Sequence, residues 1–136
     1  MDSRRVAPLL GVVGCLATLV ALAVPYLVVD AGAVGTYYGT GALSPLVSGL
    51  FAAVSVIVFA AGRAGRTDPA TAAGVALVFG VVVAVISIVW AVTVPESVVF
   101  QLSTTALFEY HRWVLAVCSI VIPAGGLWYT RALGLV

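Results

Sequence analysis

Between Ala70 and Val94 the chain runs for twenty-five residues, ATAAGVALVFGVVVAVISIVWAVTV, without one charged side chain. Wound as an α-helix at about 1.5 Å per residue, that stretch reaches roughly 37 Å, longer than the ~30 Å hydrocarbon core of a bilayer. Its polar side chains, Thr71, Ser87, Thr93 and the Trp90 indole, are all tolerable in lipid. The stretch reads as a transmembrane helix, and the rest of the chain repeats the pattern. Apolar residues make up 63% of the chain and charged residues 8%, against about 25% charged in soluble domains. Residues 1–136 therefore leave room for one membrane domain and no soluble domain beside it.

The first apolar run, Val6–Val29, follows Arg4 and Arg5. Ser3-Arg4-Arg5 resembles a twin-arginine export signal, Val12-Val13-Gly14-Cys15 a lipoprotein box, and Ala21-Leu22-Ala23 a signal-peptidase site. Each of these signals expects the chain to turn polar soon afterwards, whereas LATLVALAVPYLVV stays apolar. The expectation is an uncleaved first span. Asp30–Ser44, with four glycines and no helical period, reads as an irregular loop that places Tyr37 and Tyr38 at the membrane–water interface. Ser44-Pro45 and Asp68-Pro69 each pair an N-cap residue with proline at the first helical position. Pro95–Arg112 reads as a second long loop, with Val98, Val99, Leu102 and Ala106 at the spacing of a short surface helix. In the last span Pro123 and Gly125-Gly126 predict a kink. The fold class that follows is all-α: an integral membrane bundle of four antiparallel transmembrane helices, at about 6–29, 45–62, 70–94 and 113–131.

Arginine sets the orientation, because lysine is absent. With the N-terminus cytoplasmic, Arg4, Arg5, Arg63, Arg66 and Arg131 lie inside and only Arg112 outside, as the positive-inside rule requires. Asp30, Glu96 and Glu109 then face out. The predicted location is the cell membrane, multi-pass, with both termini cytoplasmic.

The outer segments are the distinctive part of the sequence. Gly35-Thr36-Tyr37-Tyr38-Gly39-Thr40-Gly41 running into Leu43-Ser44-Pro45-Leu46, together with Glu109-Tyr110-His111-Arg112-Trp113, resembles an uncharacterised family of small four-helix haloarchaeal membrane proteins. The absence of lysine fits that source. The resemblance covers nearly the whole chain and implies topology and habitat; it implies no activity and no functional residues.

Spans two and three contain no ionisable side chain, whereas ion-coupled transporters and proton pumps need a buried one to bind or relay charge. The one dense polar group is Glu109, Tyr110, His111, Arg112 and Trp113, to which the loop adds Tyr37 and Tyr38. Two readings of it stand. One is a site for a quinone head-group or lipid phosphate, with Arg112 clamping an anion and His111 handling a proton. The other, favoured here, is an interfacial anchor in which Glu109 and Arg112 pair one helical turn apart beside aromatic belt residues. A metal needs three or four ligands, and one histidine among scattered carboxylates predicts none. No catalytic motif and no cofactor motif appears. A net charge of +1 gives no electrostatic basis for binding nucleic acid.

Small residues carry the remaining signal. Ala72, Ala76, Gly80 and Ala84 fall every four residues on the third span, a stripe that lets helix backbones approach closely in lipid. The expected function is therefore that of a small non-catalytic membrane protein acting through helix packing and contacts. Its partners would be the lipid bilayer and either further copies of itself or another membrane protein. The alternatives are a passive channel or facilitator, signalled by a cavity lined by Thr18, Ser48, Ser55 and Ser87, and a quinone- or lipid-binding enzyme subunit using the Glu109–Arg112 region.

Overall fold

Helix starts and stops follow local chemistry throughout the chain. A computed structural model describes residues 3–28, 31–39, 43–94 and 107–135, apart from the side chains at positions 28, 31, 33 and 107–109. These residues form five helices: α1 (Ser3–Val28), α2 (Ala31–Gly39), α3 (Pro45–Arg63), α4 (Pro69–Thr93) and α5 (Leu107–Ala132). The Ser44 hydroxyl caps α3 by accepting from the Leu46 N–H, and the Asp68 carboxylate caps α4 by accepting from the Thr71 N–H. Pro45 and Pro69 fill the first helical positions, where a missing N–H is no loss. α3 ends on Gly65, whose φ of +74° lets the Arg66 N–H reach back to the Ala61 carbonyl at 3.0 Å. α5 ends the same way on Gly134, with the Leu135 N–H on the Thr130 carbonyl at 3.0 Å.

Four of the helices, α1, α3, α4 and α5, are long and apolar enough to cross a membrane, and the described residues contain no strand. Two features differ from the sequence reading. Ala31–Gly39, expected as irregular loop, is helical; its glycines weaken the local helix signal by about 1 kcal/mol each, and burial of the rings it carries outweighs that. The last helix begins at Leu107 rather than near Trp113, so Tyr110, His111 and Arg112 lie within a helix instead of in a loop. No proline or glycine interrupts the chain between Leu107 and Pro123, and α5 runs on as one helix through Pro123. The expected surface helix in Pro95–Ala106 lies outside the described residues, as do Asp30, Thr40, Gly41 and Glu96.

The long helices pack in a ring, α5 against α1 and α4, and α3 against the same two. α5 makes its contacts at backbone distance. A Cβ on Gly125 would stand 2.8 Å from the Gly11 nitrogen of α1, and one on Gly126 would stand 2.9 Å from the Leu77 Cα of α4. The stripe on α4 runs into the same seam at Gly80. Ala72, Ala76, Gly80 and Ala84 are buried, and a Cβ on Gly80 would meet the Pro123 nitrogen at 2.8 Å. Because residues four apart drift about 40° around a helix, the stripe turns from α3, where Ala72 faces Gly62, to α5, where Gly80 faces Pro123. Of the bulky neighbours, Val83 is buried in the same core, and Phe79 sets its ring edge-on to Phe51 of α3 at 5.4 Å.

Leucine at Gly80 is expected to lower stability by about 1–3 kcal/mol, the usual range for overpacking. The oligomeric state should stay unchanged, since the atoms it strikes belong to the same chain. Gly74 has open space around its α-carbon, so Gly74→Ala should be neutral or stabilising. Thermal unfolding in mild detergent, with light scattering for mass, checks both variants.

Candidate functional site

A proline inside an apolar helix leaves a carbonyl without its donor. Pro25 of α1 has no N–H to give to Ala21, the residue one turn earlier. The Ala21 oxygen instead lies 2.6 Å from Nε2 of His111 on α5. A carbonyl only accepts, so Nε2 carries the hydrogen and donates it. In the neutral ring Nδ1 is then the acceptor, and it takes the hydroxyl hydrogen of Tyr37 at 3.0 Å. One residue further along α1, the Leu22 carbonyl accepts from the Tyr38 hydroxyl at 2.6 Å. The Trp90 indole of α4 donates to the Tyr37 carbonyl at 3.3 Å, capping the last turn of α2.

The rings that make these bonds also pack on one another. Tyr37 meets Trp90 edge-to-face with centroids 4.9 Å apart, and Tyr38 lies 5.3 Å from Tyr37 and 5.4 Å from Trp90, within the range where aromatic pairs add stability beyond area burial. Tyr37 and Trp90 are fully buried, Tyr38 is 1% exposed and His111 is 5% exposed. The cluster thus ties α1, α2, α4 and α5 at one end of the helices. Burial pushes both tyrosine hydroxyls above the usual phenol range; Arg112 pulls that of Tyr37 part of the way back, while Tyr37 and Tyr26 push that of Tyr38 further up.

Tyr37, Tyr38 and His111 therefore come together from the candidate set. Tyr110 and Trp113 do not join them: they stand 63% and 45% exposed on the outer face of α5. Arg112 is half-buried, with Nη1 3.5 Å from the Val94 carbonyl just past α4 and its guanidinium 5.3 Å from the centroid of the Trp113 ring. A cation at a helix C-terminus is favourably placed. The Glu109 side chain, and with it the expected Glu109–Arg112 pair, lies outside the described residues. Sequence reasoning missed Trp90 and the two α1 carbonyls as members of the cluster; the available signal was Pro25, a proline in mid-span.

The hydroxyls considered for a cavity are turned to backbone or to each other. Thr18 donates to Gly14 O at 2.9 Å, Ser48 to Pro45 O at 2.6 Å and Ser55 to Phe51 O at 2.7 Å, while Ser87 donates to Ser48 at 3.3 Å. Among the described residues no three His, Cys, Asp or Glu side chains converge. Cys15 and Cys118 are free thiols.

Replacing His111 by leucine leaves the Ala21 carbonyl and the Tyr37 hydroxyl without the partners described above, at about 1–3 kcal/mol for each buried group left unsatisfied. Pro25→Ala returns an N–H to Ala21, so His111→Leu should be milder in that background, with a coupling of at least ~0.5 kcal/mol. Thermal unfolding of the four-member cycle measures it. The raised tyrosine hydroxyls carry a pH dependence of known sign. Unfolded phenols ionise near about pH 10, below the folded values, so this contribution is complete below that pH and is lost as pH rises above it. Tyr37→Phe with Tyr38→Phe should flatten the alkaline loss of stability, and phenolate absorbance of the folded protein should show the two rings ionising late.

No curated protein and no solved structure matches the chain. A family model matches residues 1–134. The chain belongs to that family, a family of unknown function, DUF7548.

Proposed function

We propose that the protein is a multi-pass membrane protein without catalytic chemistry, which acts through helix packing as a homo-oligomer or as a subunit of a larger membrane assembly. One observation carries this reading: the buried polar groups of the tyrosine–histidine cluster bond one helix to another. His111 bonds α5 to α1 and α2, Tyr38 bonds α2 to α1, and Trp90 bonds α4 to α2. A quinone or lipid head-group would have to displace those bonds. The hydroxyls that a solute path would need are engaged with the backbone of their own helices or with each other, which leaves the facilitator reading without an observation in its favour.

In this reading the four long helices span the bilayer in antiparallel order. Support comes from the helix ends: Arg4 Nε donates to Ala132 O at 3.3 Å and Arg63 Nε to Arg5 O at 3.0 Å, while His111, near the start of α5, meets Ala21, near the end of α1. The arginine-rich end is cytoplasmic by the positive-inside rule. With Cys15 and Cys118 replaced by alanine, a cysteine at Thr36 should react with an impermeant maleimide in intact cells, and one at Ala64 only after lysis. The reverse pattern overturns the orientation. For the function itself, light scattering and mass spectrometry of the protein extracted in mild detergent should find a stoichiometric complex, with itself or with another membrane protein. A lone 13.9 kDa chain under every mild condition would refute it.

A further inference from the structure

At the arginine-rich end, the outer face of α3 forms an apolar trough that stops at a guanidinium. Val56, Ile57, Ala60, Ala61 and Ala64 line a groove of about 350 Å³, and Arg66 closes it. The first five share one helical face, and the alanines make it concave. Arg66 is held at the end of that face by backbone: the left-handed turn at Gly65 brings its N–H onto the Ala61 carbonyl. Its side chain is exposed and, among the described residues, has no hydrogen bond or ion pair. Asp68, the acid next along the chain, is turned to Thr71, whose N–H and hydroxyl it accepts at 3.3 and 3.0 Å.

We infer that this trough is a binding site for one anionic phospholipid, with its phosphate on Arg66 and one acyl chain lying along Val56–Ala64. Two halves of the site match two halves of such a molecule. Arg63, at the close of α3, adds to the positive charge beside Arg66, and Arg4, Arg5 and Arg131 lie at the same end of the bundle. A guanidinium offers a planar fork of donors suited to a phosphate, and basic residues at the cytoplasmic surface favour anionic lipid. The apolar floor selects an amphiphile over a free phosphate. A second copy of the chain is a poor occupant, because copies inserted in one orientation would bring their arginines level with one another, like charge against like. The site rests on the membrane reading; a protein that partitions into water without detergent would fail that reading before any lipid is added.

The test is native mass spectrometry and thermal shift on the detergent-purified protein, titrated with phosphatidylglycerol and phosphatidylcholine of equal chain length. One tightly held phosphatidylglycerol is expected, preferred over phosphatidylcholine by about fivefold or more, the scale of one arginine at a charged surface. Arg66→Gln should abolish the preference. Arg131→Gln removes the same charge from α5, whose residues do not line the trough, and should leave the preference intact. Ala60→Phe, which fills the trough from an exposed position, should weaken both lipids. An equal loss in Arg66→Gln and Arg131→Gln would mean diffuse attraction to the whole end, and would overturn the site. So would displacement of the lipid by millimolar inorganic phosphate, or unchanged binding in Ala60→Phe.

Discussion

A backbone carbonyl that loses its donor inside an apolar helix must find another, because no water is at hand and an unmet group costs several kcal/mol. Pro25 creates that demand at Ala21, and much of the described architecture follows from how it is met. The donor is an imidazole, so α5 must bring His111 to that depth. The imidazole has a second nitrogen, so α2 must bring a hydroxyl. α2 in turn ends in an orphan carbonyl, which the Trp90 indole reaches. One missing N–H thus fixes the relative heights of α1, α4 and α5, which lie far apart in the sequence. Satisfied networks of this kind restrict a core to one arrangement more sharply than apolar packing does, because each slip leaves a group without a partner.

Away from that cluster the helices are held by proximity. Gly11, Gly125, Gly126 and Gly80 let α5 approach α1 and α4 until backbone meets backbone. In the bilayer proposed for these helices the gain would be dispersion and shape, since lipid tails are as apolar as leucine. The two modes are complementary: directional hydrogen bonds set the register at one end, and glycine seams set the separation along the middle.

Much of this was legible in the sequence, for reasons that can be named. α4 announces itself because nothing but a helix can hold so long an uncharged run, and Ser44-Pro45 and Asp68-Pro69 mark helix starts because capping is local chemistry. α2 was not legible. Gly32, Gly35 and Gly39 argue against a helix locally, and only the burial of Tyr37 and Tyr38 among distant rings reverses the balance. His111 was visible as a candidate, but its partner was not: periodicity gives a residue's face and says nothing of a carbonyl ninety positions away. The Ala72–Ala84 stripe had the same limit. Four-residue spacing identifies a groove, while the residue that fills it, Pro123, stands on another helix with no signal linking the two.

The placement of α5 between α1 and α4 also has a consequence for biogenesis. A chain made from its N-terminus completes α1, α3 and α4 before α5 leaves the ribosome, and the close packing among those three runs in series, α1 on α3 and α3 on α4. The nascent intermediate is an open trough. Its Gly14 and Gly80 flanks are bare, since the atoms nearest both belong to α5, and the Ala21 carbonyl has no histidine to answer it. Closure waits for the last helix, so a ribosome that stalls before Leu107 releases a fragment whose stickiest surfaces are those the finished protein hides.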